Sequence, residues 1–193
     1  MTCQIIIPVQ PPEEGKSRLA RVLDTTARAQ LVERMFRHVL ATAISSVPAA
    51  QVSVVSRSIQ LLQIATASGA AAVREQGHGL NRALEQAAAL CVPTMPLLVL
   101  SADLPFLEQG DIAAMLEALD QAEVIVATDG AGQGTNALCL RKPQSIGFSF
   151  GEGSLARHRE LAKKAGQSFR VLQRSGLATD IDEPGDLENP RFS

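Results

Sequence analysis

The feature that most constrains this chain is an alternation: seven apolar runs of strand length recur along it, most of them separated by a stretch with helical periodicity. The runs fall at residues 3–9, 51–56, 97–102, 124–128, 136–140, 169–172 and 178–181. The clearest helix starts from Asp24 as N-cap and puts Leu31, Met35, Val39 and Ala43 on one face, with Arg28, Arg34 and Arg37 elsewhere. Further helices are predicted over 58–66, 80–90, 109–119 and 154–165. Such alternation predicts an α/β three-layer sandwich, helices covering both faces of a Rossmann-like, mostly parallel sheet. After Thr128 the order changes to strand, glycine-rich loop, strand, so an antiparallel or inserted β element is expected there. A length of 193 residues fits one core, and a single domain spanning 1–193 is expected.

Charge and cysteine usage narrow the function classes. Eighteen Lys and Arg against 20 Asp and Glu leave a net charge of −2, which gives no bulk attraction to nucleic acid or to a lipid surface. No apolar run approaches the roughly 18 residues of a membrane-spanning helix. Cys3, Cys91 and Cys139 are odd in number, widely spaced and set in apolar surroundings, as expected for reduced thiols in a cytoplasmic protein. Only four of the 18 basic residues are Lys, so a Lys in a loop draws notice.

One such Lys follows the first strand, in Gln10-Pro11-Pro12-Glu13-Glu14-Gly15-Lys16-Ser17-Arg18. Gly15-Lys16-Ser17 looks like the end of a phosphate-binding P-loop, yet Gln10 stands where that loop needs glycine, and Pro11 and Pro12 have no N–H to offer. What remains is Lys16 and Arg18 at the carboxyl end of a strand, where open α/β sheets bind ligands; a solvated basic turn would read the same. Asp103, in Ala102-Asp103-Leu104-Pro105, ends a central strand and could hold Mg²⁺ or cap the next helix. Asp180 and Asp182 lie two apart, so an extended backbone points both to one side, where they could close a metal site with Asp103; Asp182 could also cap a short helix near Pro184.

Three further segments could touch small ligands. Residues 129–135 carry glycine at alternate positions but precede a strand rather than a helix, which argues against a dinucleotide fingerprint; a hairpin and a close ligand approach at Thr135 both fit. Gly151 and Gly153 lead to Ser154, read as the N-cap of a helix whose free N–H groups suit phosphate or carboxylate. Arg157 and His158 fall in its first turn, where a His is ordinarily solvated. Asn81, opening a helix after Gly79, offers a polar reader of base or ribose.

Taken in order, K-S-R-L at 16–19, G-L-N at 79–81, A-D-L-P at 102–105, G-T-N-A-L at 134–138, F-G-x-G-S-x-A-R-H at 150–158 and D-I-D-x-P-x-D-L at 180–187 resemble the 2-phospho-L-lactate guanylyltransferase family. The resemblance runs from about residue 5 to 187. It implies the nucleotidyltransferase fold of molybdenum-cofactor guanylyltransferases and a role in coenzyme F-420 biosynthesis: GMP passes from GTP to the phosphate of 2-phospho-L-lactate, phosphoenolpyruvate or 3-phospho-D-glycerate, with pyrophosphate released. Carried onto this chain, it implies that Lys16 and Arg18 hold the triphosphate, that Asn81 lies near the nucleoside, and that Asp103 with Asp180 or Asp182 binds Mg²⁺. Thr135, Gly151 and Ser154 would contact the acid. Gln10 stands where the family commonly has Lys, and Glu152 where Pro is usual. The resemblance also implies hand-over of a labile product to the next pathway enzyme, and leaves the oligomeric state open, a homodimer included. Competing readings are another nucleotide-dependent phosphotransferase or NTPase, and a non-catalytic GTP-binding protein.

Overall fold

The computed structural model describes residues 2–77 and 79–189. One seven-stranded sheet runs through it in the order β3-β2-β1-β4-β6-β5-β7. The strands are β1 (Gln4–Pro8), β2 (Val52–Ser56), β3 (Ala71–Arg74), β4 (Leu97–Leu100), β5 (Val124–Ala127), β6 (Ala137–Leu140) and β7 (Phe169–Leu172). Six are parallel; β6 alone is antiparallel, paired with β4 on one side and β5 on the other, which is the expected change after Thr128.

The central strands are buried on both faces. In β1, Ile5 and Ile7 pack with Phe36, Val39 and Leu61, whereas Ile6 packs with Leu84 and Ala162 on the opposite face. The helices α1 (Thr25–Ser46), α2 (Ile59–Ala67) and α4 (Gln109–Glu117) therefore cover one side, α3 (Leu80–Ala88) and α5 (Ser154–Lys164) the other. In α1 the Asp24 carboxylate accepts the Ala27 N–H at 2.7 Å, and Leu31, Met35, Val39 and Ala43 are all buried, as their spacing predicts.

Two expectations fail at the edges. Ala71–Arg74 forms strand β3, which periodicity does not reveal because an outermost, alanine-rich strand buries only Val73. Residues 178–181 are not a strand: Ser175–Ala178 is a short helix, α6, and the Asn136 amide donates to the Leu177 carbonyl at 2.9 Å, so the chain is captured beside β6 without joining the sheet.

The cap assignments also shift. Gly153, at φ 64°, precedes α5, and Ser154 is its first residue. The turn after Asp182 is a 3-10 helix, Pro184–Glu188, capped by Glu183 rather than Asp182. Asp103 caps nothing, since α4 begins only after Glu108. No helix among the described residues is long and apolar enough to cross a membrane.

Candidate functional site

The carboxyl ends of β1 and β4 meet the segment after α6 around one charged cluster. Lys16 lies in the loop after β1 at φ 54°, a left-handed conformation unusual for a side-chain-bearing residue. Its Nζ donates to Asp103 Oδ2 at 2.5 Å and to Asp182 Oδ1 at 2.7 Å. Burial disfavours the Lys16 ammonium, but the charges of Asp103 and Asp182 outweigh it and leave the pKa above its ordinary value.

Asp180 completes the group, with one carboxylate oxygen from each of Asp103, Asp180 and Asp182 lying within 4.8 Å of the others. Burial first, then repulsion from Asp103 and Asp182, pushes the Asp180 carboxyl up to about 6. Three crowded carboxylates form an oxygen-only donor set that suits a hard divalent cation, and the Lys16 ammonium already bridges two of them.

The D-I-D spacing follows from its middle residue. Ile181 is fully buried against Leu19, Leu31 and Met35, so the aspartates on either side turn towards Asp103. Asp186 fixes the exit by accepting the backbone N–H groups of Asp182 at 2.8 Å and Glu183 at 2.7 Å. Arg18 stands at the rim, 67% exposed, with Glu183 at 3.4 Å and Asp182 at 4.0 Å.

A second cluster forms beside the first. The Ser101 N–H donates to the Asn136 carbonyl at 2.9 Å, so the end of β4 and the approach to β6 share one sheet edge. Thr135 and Ser154 are both buried, and the Ser154 hydroxyl donates to Thr135 Oγ1 at 3.0 Å. Gly151, at φ 112°, accepts the Ser154 N–H at 3.0 Å, a backbone conformation that side chains rarely adopt. Residues 129–135 form the hairpin between β5 and β6, in which Asp129 accepts the N–H groups of Gln133 and Gly134, each at 2.9 Å. A Cβ on Gly134 would meet the Asp129 carboxylate at 2.5 Å.

His158 departs from its expected solvated state, because it is fully buried. Its Nε2 accepts the Ser149 N–H at 3.1 Å, which leaves the proton on Nδ1 to be donated to Thr135 Oγ1 at 3.1 Å. Burial, with a contribution from Arg157, lowers its pKa to about 4, so the ring is neutral at ordinary pH. Arg157 folds back on its own loop, donating to Ser149 Oγ at 2.9 Å, to the Phe150 carbonyl at 3.2 Å and to the Glu152 carbonyl.

Asn81 clips α3 to that loop. Its Oδ1 accepts the Phe150 N–H at 2.7 Å and its Nδ2 donates to the Phe150 carbonyl at 3.3 Å, so the amide is engaged at both ends. The α5 terminus is similarly occupied in part, since the Leu155 N–H donates to the Gln133 carbonyl at 3.1 Å.

A cavity of about 290 Å³ opens over the ends of β1 and β2, lined by Lys16, Asp103 and Asp182 at one end and by Arg57 and Glu75 among others. Thr135, Gly151, Ser154 and Asn81 lie outside its lining. Nothing in the sequence alone singles out Arg57, Glu75 or His158 as site residues. Glu75 follows the strand that periodicity does not reveal, whereas His158 lies in a motif whose first-turn position points to solvent.

The strand order, with a loop-borne ammonium and carboxylates gathered at the carboxyl edge, defines an α/β protein of the nucleotidyltransferase type. A structural likeness supports that class at the level of fold: 4-diphosphocytidyl-2C-methyl-D-erythritol synthase from Anaerococcus prevotii superposes with a TM-score of 0.61 at 8% identity, over 96% of this chain and 93% of that one. The chain belongs to the CofC-like guanylyl transferase family, whose model matches residues 3–189. It is 40% identical over 190 residues to the phosphoenolpyruvate guanylyltransferase of Rubrobacter xylanophilus, spanning 97% of this chain and 92% of that protein. It is 29% identical to the 2-phospho-L-lactate guanylyltransferase of Methanocaldococcus infernus, over 94% of this chain and 81% of that protein.

Proposed function

We propose that this enzyme transfers GMP from GTP to the phosphate of a small phosphorylated carboxylic acid, phosphoenolpyruvate, 2-phospho-L-lactate or 3-phospho-D-glycerate, in coenzyme F-420 biosynthesis. The observation that carries the reading is the meeting of Lys16 with Asp103, Asp180 and Asp182, with Lys16, Asp103 and Asp182 also lining the cavity at the sheet's carboxyl edge, in a chain of the guanylyl transferase family. Asp103, Asp180 and Asp182 would hold Mg²⁺, which when bound supplies charge neutralisation for the phosphates.

An acceptor phosphate is already an anion, so the transfer needs placement and neutralised charge rather than a strong general base. One of its oxygens bonds to the α-phosphorus, the α–β bridging bond breaks, and pyrophosphate leaves with the electron pair. Lys16 is the residue that can shift from the carboxylates to the triphosphate once other positive charge reaches them, with exposed Arg18 following the departing pyrophosphate. Thr135 accepts from both His158 and Ser154, which leaves its own hydroxyl proton for an oxyanion of the acid. Gly151 and Ser154 shape the same end, and Asn81 acts by holding the Phe150 loop between nucleotide and acid.

A cytoplasmic setting is part of the same proposal; burial pushes Cys3 up to about 12 and raises Cys139 as well, so neither is a reactive thiolate. The test is incubation of the enzyme with GTP, Mg²⁺ and each of the three acids, products being read by mass spectrometry. A guanylylated acid with at least one of them is expected; consumption of GTP to GDP and orthophosphate would overturn the reading.

A further inference from the structure

Glu75 faces the end of the cavity away from the carboxylate cluster, and nothing in the transfer chemistry uses it. Its side chain is only 11% exposed, and Arg57 Nε lies 3.7 Å from its Oε2. Among the described residues its carboxylate accepts no hydrogen bond, so two acceptor oxygens are left open to the cavity with one cation nearby. The backbone beneath is fixed on both sides. The Glu75 N–H donates to the Ser56 carbonyl at 3.0 Å, while the Gln86 amide donates to the Arg74 carbonyl at 2.8 Å and accepts the Gln76 N–H at 3.0 Å. Arg57 is tied outward to Glu14 on the rim, which keeps its charge beside Glu75 without covering the carboxylate from the cavity.

The strand order measures the distance between the two ends. Glu75 follows β3 and Asp103 follows β4, three strand spacings apart in β3-β2-β1-β4. At about 4.8 Å each these amount to ~14 Å, the order of a nucleotide's reach from its α-phosphorus to the far edge of its base. Between them the walls are apolar, with Val9, Val55, Leu80 and Ala83 suited to a flat ring.

Resting on the guanylyl transfer reading above, we infer that Glu75 is the residue that selects guanine. Guanine presents two adjacent donors, N1–H and the exocyclic amine, and a carboxylate accepts both. Adenine turns a lone pair at N1 towards the same oxygens, hypoxanthine lacks the amine, and xanthine replaces it with a carbonyl. Arg57 is a positioning residue that holds the carboxylate in place.

The experiment compares kcat/KM for GTP, ITP, XTP and ATP in the wild-type enzyme and in Glu75→Gln, with the preferred acid fixed. Thermal shifts with GDP, IDP and ADP give a binding readout, and Glu75→Asp serves as a second variant. The wild type should prefer GTP in the order GTP over ITP over ATP and XTP. Glu75→Gln should lose about 10- to 150-fold in kcat/KM for GTP, the worth of a hydrogen bond to a charged group, and much less for ITP and ATP. The Asp variant should keep the order of preference with weaker GDP binding. Product formation by Glu75→Gln with unchanged GTP:ITP and GTP:ATP ratios would overturn the inference alone. A wild type that makes no guanylylated product overturns the transfer reading, and the inference with it.

Discussion

Lowering the pH should destabilise this protein through one buried ring. His158 is held neutral, with a pKa of about 4 against an ordinary 6.5. The sign follows from linkage. The unfolded chain takes up a proton at this ring as pH falls through 6.5, the folded chain does not until about 4, and stability drains away between the two. At ~1.4 kcal/mol per pH unit the loss is on the order of 3 kcal/mol, a large share of a typical domain's stability. Asp180 works in the opposite direction: its pKa is raised to about 6, so its protonation on acidification relieves repulsion in the folded state. Its effect on stability is discounted for solvent screening, because this carboxylate is only half-buried. The comparison that isolates the ring is wild type against His158→Gln, since Asp180 contributes equally to both. Gln can keep an acceptor near the Ser149 N–H and cannot titrate. Urea unfolding between about pH 7.5 and about pH 4 should show the wild type losing on the order of 3 kcal/mol more than the variant, whatever constant offset the substitution brings. Parallel losses across that range would refute the claim that His158 is buried in its neutral form.

Two other perturbations test separate parts of the molecule. Gly176→Ala should destabilise the protein by about 1–3 kcal/mol in chemical denaturation, because the new Cβ would lie 2.0 Å from an Asp111 carboxylate oxygen and 2.6 Å from the Phe106 carbonyl. Asp111 is itself buried and paired with Arg174 at 2.9 Å, so it cannot simply swing away; unchanged stability would mean that this contact is loose. Asp103→Asn should abolish turnover while leaving the circular dichroism spectrum and cooperative unfolding intact, since it is isosteric and removes one of three carboxylates. Near-normal activity would remove Asp103 from the site.

Much of the fold was legible because burial on both faces writes itself as continuous apolar runs, as in β1, β4 and β5. The two errors lie where that physics is weak. Edge strand β3 has little to bury, and the segment around Ile181 is apolar because it anchors a loop to Leu19 and Met35, not because it pairs in a sheet. At the site, Lys16, Asp103, Asp180 and Asp182 could be named from sequence, since chemistry fixes their types and strand ends fix their place. Their arrangement could not: a motif does not record that the Lys16 ammonium bridges Asp103 and Asp182. The bonds of Asn81 and Arg157 to the backbone around Phe150 could not be read either, because they join residues brought together by the fold or by a loop's own path. His158 and Glu75 escaped because their significance lies in burial, which a motif does not record.

The central claim is that the α-phosphorus of GTP is the atom attacked. The direct measurement uses GTP carrying radioactive phosphorus in either the α or the γ position, incubated with Mg²⁺ and each acid. The account predicts that the α label moves into the acid's product and the γ label leaves as pyrophosphate, only when nucleotide, Mg²⁺ and a phosphorylated acid are all present. A γ label recovered as orthophosphate or on the acid, with the α label left in GDP, would contradict it.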